Sequence, residues 1–172
     1  MLETVPDIYL SVSTTTREPR PGEVDGRDYE FVDETAFDRS VEDEDFLEWA
    51  DVYGHRYGTR SKPVKEAMRR GLNVILEIDT QGADTVRANV PDAITIFLVP
   101  PSKEELARRL RERGTEDEGE LELRLADAER EMSRAGEFDH VVENDDLQRA
   151  SAEVAVIIEG HGREVPDARK DP

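Results

Sequence analysis

Residues 73–99 read NVILEIDTQGADTVRANVPDAITIFLV, and this stretch decides the fold class. Two near-continuous runs of β-branched and aliphatic residues, at 73–78 and 93–99, bracket a segment with helical character at 80–89. Apolar runs without alternation suit strands buried on both faces of a parallel sheet, and a helix between two of them makes a β-α-β unit. The chain therefore reads as a single α/β domain.

Toward the N-terminus the grammar is different. Residues 7–13 read as a short strand, 14–26 as a loop full of turn formers and 29–32 as a second strand. Asp33 is placed to cap a helix over 34–41, with Phe37 and Val41 on one face. Residues 46–53 alternate: Phe46, Glu48, Ala50 and Val52 share one face, and Leu47, Trp49, Asp51 and Tyr53 the other. That is the pattern of a half-buried antiparallel strand. Gly54 and His55 turn the chain into 56–58, and Ser61 caps a helix with Pro63 in its first turn and Gly71 just past its end. This N-terminal portion reads as a small, mostly antiparallel insert. Toward the C-terminus, Ser102 caps a helix running to Arg113, and a charged, glycine-containing break at 114–120 precedes a long helix to about Ala135. A strand at 140–143, an amphipathic helix at 146–158 and a disordered tail complete the reading.

Composition narrows the function classes. The chain has 172 residues, 23 Lys+Arg against 42 Asp+Glu and a formal net charge of −19. Such a surface repels a phosphate backbone, so general nucleic-acid binding is not expected, and any nucleotide must be held by a local group of arginines. The absence of cysteine excludes disulfides, thiolate metal sites and cysteine nucleophiles. No apolar run reaches membrane-spanning length and no secretory pattern opens the chain, so a soluble cytoplasmic protein is expected. Only four lysines accompany nineteen arginines. Acid-rich, lysine-poor surfaces stay hydrated in concentrated salt, which fits a halophilic setting.

Four groups of residues carry chemistry. In SVSTTTREPR, residues 11–20, Arg17 and Arg20 stand three apart on a loop, where forked guanidiniums suit a phosphate or carboxylate; a solvated loop in salt bridges would look the same. Glu48 lies on the inward face of its strand, where an acid needs partners. Its two acceptor oxygens match parallel donors such as the N1–H and amine of guanine, with the hydroxyls of Tyr57 and Thr59 nearby in sequence; an exposed acid on a sheet face is the simpler alternative. Glu77 and Asp79 end a buried strand beside Gly82, at the place where open α/β sheets collect ligands, although Asp79 could serve only as a helix cap. Arg109, Arg113 and Arg124 flank the charged break, as a phosphoryl-transfer lid requires and as any solvated helix surface also allows.

Taken together, SVSTTTREPRPGEVDGRDYEFV, FLEWADVYGHRYGT, LEIDTQG, VPPSKEELARRLRERGT and VENDDL, in this order and spacing, closely resemble the guanylate kinase family. The resemblance covers about residues 1–160, leaving 161–172 as a tail. It implies a P-loop NTPase-type parallel sheet of the nucleoside-monophosphate kinase class, a GMP-binding subdomain over 14–71 and a lid over 109–124. It further implies phosphorylation of GMP by ATP, with Mg²⁺ carried by the nucleotide and no dedicated metal site. Arg17, Arg20, Tyr29 and Tyr57 would hold the GMP phosphate. Ser13, Glu48 and Thr59 would read the guanine edge, and Glu77 and Asp79 would lie between the nucleotides. Arg109, Arg113 and Arg124 would serve catalysis at the ATP phosphates, with Asn144 beside the adenine. The partners are GMP and ATP, with the chain a monomer or homodimer.

Guanylate kinase-like scaffold modules, which bind phosphorylated peptides without catalysis, are the rival reading; retention of Arg17, Arg20, Glu48, Tyr57 and Asp79 favours a nucleotide. A sugar-phosphate kinase is disfavoured by Glu48. One departure stands out: no G-x-x-x-x-G-K-[ST] stretch occurs in the 172 residues. Residues 1–13 align with the end of the helix that follows this loop in the family. The expectation is that a strand, the P-loop and most of a helix, roughly 20–25 residues, are missing from this sequence. Kinase turnover by these residues alone should then be poor, because positioning of the triphosphate supplies most of the catalysis.

Overall fold

The computed structural model describes residues 7–113 and 118–161, with the side chains of residues 113, 118, 120 and 121 outside the description. The expected tail, the centre of the charged break and the side chain of Arg113 therefore lie outside the described residues. The chain divides into two compact units, with the division between Ala93 and Ile94.

The first unit opens with β1 (Ile8–Leu10), which pairs in parallel with β6 (Asn73–Ile75). Both are shorter than the sequence suggests. The ladder lasts only as long as both strands run side by side, and after the Ser11 N–H reaches the Ile75 carbonyl the chain turns away. The expected loop at 14–26 begins instead with β2 (Thr14–Thr15), which joins β3 (Glu30–Phe31) in parallel and β5 (His55–Arg60) antiparallel. With β4 (Phe46–Val52) they form a four-stranded mixed sheet in the order β3-β2-β5-β4. Two residues make a very short strand, so no periodicity announces it. What fixes β2 is its central position: Thr14 and Thr15 are fully buried, and Thr14 donates its hydroxyl to Glu30 at 2.7 Å.

The β4–β5 hairpin turns on Tyr53 and Gly54, with Val52 paired to His55. Both turn residues have left-handed φ values, 52° and 77°, as a tight two-residue turn matching strand twist demands. His55 is thus the first residue of β5, not part of the turn. Helix α1 (Glu34–Glu42) starts as expected at Asp33, whose side chain accepts the Ala36 N–H at 2.7 Å. Its buried Phe37 packs on Phe46 with ring centroids 4.6 Å apart and meets Trp49 edge-on. The Arg56 guanidinium covers that ring while pairing with Glu34 and Asp38. Burial of this ring is worth about 1.5–3 kcal/mol, which ties helix to sheet. Helix α2 (Ser61–Arg69) has Arg60 at its N-cap position and no side-chain cap; Ser61, expected to cap it, is instead its first residue, one position too far inside to do so. Helix α3 (Thr80–Asn89) begins at Asp79, which accepts the Gly82 N–H at 2.9 Å.

The second unit holds β7 (Ile96–Val99) parallel to β8 (His140–Glu143), with Phe97 and Phe138 edge to face. The Asp139 carboxylate accepts both the N–H and the hydroxyl of Thr95, which pins the start of the ladder. Helices α4 (Lys103–Arg113), α5 (Glu118–Ser133) and α6 (Leu147–Gly160) complete it, with a 3₁₀ turn at Ala135–Glu137. Ser102 accepts the Glu105 N–H and Asp146 the Arg149 N–H, so both act as caps. Residues 118–120, expected in the break, are already helical.

The strands of the opening stretch thus lie in two separate two-stranded parallel sheets, β1-β6 and β7-β8, not in one ladder. Their faces are also wetter than the unbroken apolar runs suggest: Val74 and Ile75 are half-buried and Leu98 is 50% exposed. Among the described residues no helix is long and apolar enough to cross a membrane.

Candidate functional site

Strands β4 and β5, the segment after β1 and the segment after β6 enclose a pocket of about 130 Å³ in the first unit. Its lining includes Ser13, Tyr29, Glu48, Tyr57, Glu77 and Asp79, six residues of the sequence reading. Ala50, Val52, Gly58 and Ile78 supply the rest. Alternation along β4 puts Glu48 on the same side as Ala50, and antiparallel register places Thr59 directly opposite Glu48.

Glu48 is only 4% exposed, and among the described residues no lysine or arginine pairs with it. Burial pushes its pKa up; the neighbouring Thr59 opposes this and the charge of Asp79 adds to it. Thr59 is fully buried, and its hydroxyl has no hydrogen-bond partner of good geometry despite its nearness to Glu48. A buried hydroxyl without a partner costs free energy unless a ligand satisfies it. Tyr29 and Tyr57 meet edge to face at 6.0 Å, and burial raises the Tyr29 pKa, so that phenol stays a protonated donor at neutral pH. Glu77 is exposed and Asp79 half-buried. Asp79 is occupied as the α3 cap and by the Gln81 amide at 2.9 Å, so the cap role weighed from sequence is real.

Arg17 is 9% exposed and lies over the Tyr29 ring at 5.3 Å. Burial works against its charge, but the Glu23 carboxylate and the Tyr57 hydroxyl outweigh that and raise its pKa. One Glu23 oxygen accepts from Arg17 at 2.9 Å and the other from the Arg20 N–H at 2.7 Å. Glu23 therefore shapes the loop that carries both arginines. The sequence reading missed it, although an acid three residues after Arg20 in a basic loop was the available signal. Among the described residues the Arg20 guanidinium makes no ion pair and no hydrogen bond, so its donors remain open.

In the second unit, Arg109 donates to Glu105 at 2.7 Å and to the Asn144 carbonyl at 2.9 Å, which brings two expected site residues together. Arg124 is half-buried on α5. Arg113 ends α4, with its side chain outside the described residues.

A family model described as guanylate kinase matches residues 1–161. The chain belongs to the guanylate kinase family. A guanylate kinase of Dechloromonas aromatica (strain RCB) is 46% identical over 162 residues, covering 94% of this chain and 80% of that one. One of Aromatoleum aromaticum is 48% identical over 159 residues, covering 92% and 78%. Among solved structures, guanylate kinase from Anaplasma phagocytophilum superposes with a TM-score of 0.80 at 32% identity, covering 92% of this chain and 78% of that one. The α/β fold is thus that of a guanylate kinase, and the family uses ATP as co-substrate.

Proposed function

We propose that this chain carries the GMP side of a guanylate kinase, which transfers a phosphoryl group from MgATP to GMP to give ADP and GDP. The observation that supports this most is the buried Glu48 facing Thr59 across β4–β5, a carboxylate without a cation beside a hydroxyl that makes no hydrogen bond of good geometry. A guanine edge answers both, with its N1–H and amine on the carboxylate and an acceptor for the Thr59 hydroxyl. Ser13 and Asp79 flank the same edge. Arg17, Arg20, Tyr29 and Tyr57 are assigned to the GMP phosphate, and Glu77 to the rim between the nucleotides. Arg109, Arg113 and Arg124 are assigned to the ATP phosphates and Asn144 to the adenine.

No covalent intermediate is needed. A phosphate oxygen of GMP bonds to the γ-phosphorus of ATP while the bond to the ADP oxygen breaks, and the residues align the oxygen and neutralise charge. The 172 residues hold no G-x-x-x-x-G-K-[ST] stretch, so GMP binding is assigned to them ahead of rapid turnover. Calorimetric titration decides the reading: GMP binds tighter than AMP, and Glu48→Ala erases the preference by about 1–3 kcal/mol. Equal affinities for the two nucleotides in the unsubstituted chain would overturn it.

A further inference from the structure

Gly82 occupies the third position of α3, where glycine is a poor helix former and an acidic residue would favour the helix dipole. Its backbone gives no reason for the choice, because Gly82 is not among the glycines with left-handed φ. Space gives the reason. A Cβ at Gly82 would lie 2.5 Å from Glu48 Oε2, 3.2 Å from Glu48 Cδ and 3.2 Å from the Ile78 Cβ. The first distance is shorter than carbon and oxygen tolerate, whereas the other two need adjustments of a few tenths of an ångström. On the other side, Asp79 accepts the Gly82 N–H and holds this turn of α3 in place. The Gln81 amide, which also reaches the Asp51 carbonyl of β4, ties the same turn to the strand that carries Glu48.

We propose that Gly82 is a positioning residue for base selection: its missing side chain lets the first turn of α3 close against Glu48 and fix where that carboxyl points. The atom that a new methyl would displace first is the far end of a flexible side chain, not the backbone. Gly82→Ala is therefore expected to fold, with the helix slightly favoured, while the Glu48 carboxyl swings away from its place beside Thr59. The inference rests on the reading of Glu48 as the guanine acceptor.

The test uses the 172-residue chain, Gly82→Ala and Glu48→Ala, each titrated with GMP and with AMP. Gly82→Ala should lower the GMP-to-AMP affinity ratio by about tenfold or more, the scale of one misplaced charge-assisted hydrogen bond. AMP affinity and the thermal unfolding midpoint should change little. A second readout separates carboxyl position from packing. GMP binding by the unsubstituted chain should be lost, as pH falls, at a higher pH than in Gly82→Ala, because the displaced carboxyl is better hydrated and ionises more readily. If Glu48→Ala abolishes the preference while Gly82→Ala keeps both the ratio and the pH profile, the role of Gly82 is overturned and the guanine reading stands. If Glu48→Ala leaves the preference intact, the guanine reading fails and takes this inference with it. If Gly82→Ala unfolds, the proposal is overturned as well, since the residue would then be needed for packing and not for the direction of the Glu48 carboxyl.

Discussion

The pocket wall at β4–β5 and the outer face of α4 both carry ionisable side chains, yet they treat them in opposite ways. On α4, Glu105 receives Arg108 and Arg109, both at 2.7 Å, and Arg108 also reaches Glu112 at 2.6 Å. The result is a ladder of i,i+3 and i,i+4 pairs in which Arg108 and Glu112 are exposed and Glu105 and Arg109 half-buried. In the pocket, Glu48 is buried without a cation and Thr59 without a hydrogen bond of good geometry. Exposed pairs of the first kind contribute little and can be rearranged freely. Groups of the second kind destabilise the empty fold, and a ligand that satisfies them recovers that free energy. The location of charge in this acidic chain is therefore less informative than the location of unsatisfied burial.

The largest effect is expected at Arg17. Arg17→Met should weaken GMP by roughly 1.5–3 kcal/mol, the range for hydrogen bonds to a charged group, while leaving guanosine, which lacks the phosphate, nearly unaffected. Parallel titrations with the two ligands check this, and an equal loss for guanosine would break the assignment. Next comes Glu48. Burial and the charge of Asp79 raise its pKa above the ordinary 4.5, so the folded chain binds this proton more tightly than the unfolded chain does. The ionisation penalty is absent below 4.5 and grows as pH rises through the higher folded value. Glu48→Gln should thus melt above the unsubstituted chain at pH 7, with the difference closing in acid, and should bind GMP less tightly. A variant that is destabilised at pH 7 would show that the pocket does not hold the carboxylate under strain.

Glu23→Gln should be milder, about 1 kcal/mol in GMP affinity, because the amide keeps one acceptor for the arginine loop. The smallest effect belongs to α4. Its two arginines hold the Glu105 carboxyl at a pKa of about 2, so whatever stability the pair contributes is present above the ordinary carboxylate range and fades only as pH falls toward that value. Glu105→Gln should leave the melting temperature at pH 7 almost unchanged. A large drop would erase the contrast between the two regions.

Several elements were legible because their signal is local. Asp33, Asp79, Ser102 and Asp146 were readable as helix starts, since a cap lies within three residues of what it bonds. The alternation from Glu48 onward put that carboxylate inward with Ala50, but Phe46, expected on the same face, lies on the other one with Trp49 against Phe37, because a bulge between Phe46 and Glu48 breaks the alternation. Other features were not readable from neighbours in the chain. Thr14–Thr15 is a strand only because β3 and β5 lie on either side of it, and Ser61 caps nothing because the helix already begins at it, straight out of β5. The apolar runs at 73–78 and 93–99 announced strands but not their partners, which come from β1 and β8.

The sequence by itself determined the α/β character, the inward carboxylate and, through five ordered motifs, the guanylate kinase family. Side-chain periodicity, capping chemistry and residue type all act over a few positions and survive in a linear reading. Tertiary structure alone decided that Glu48 faces Thr59, that Glu23 clamps the arginine loop and that Gly82 leaves room for the Glu48 carboxyl. Each of those depends on an ångström-scale distance between segments, and in two of the three cases the sequence supplies no regular spacing from which it could be read.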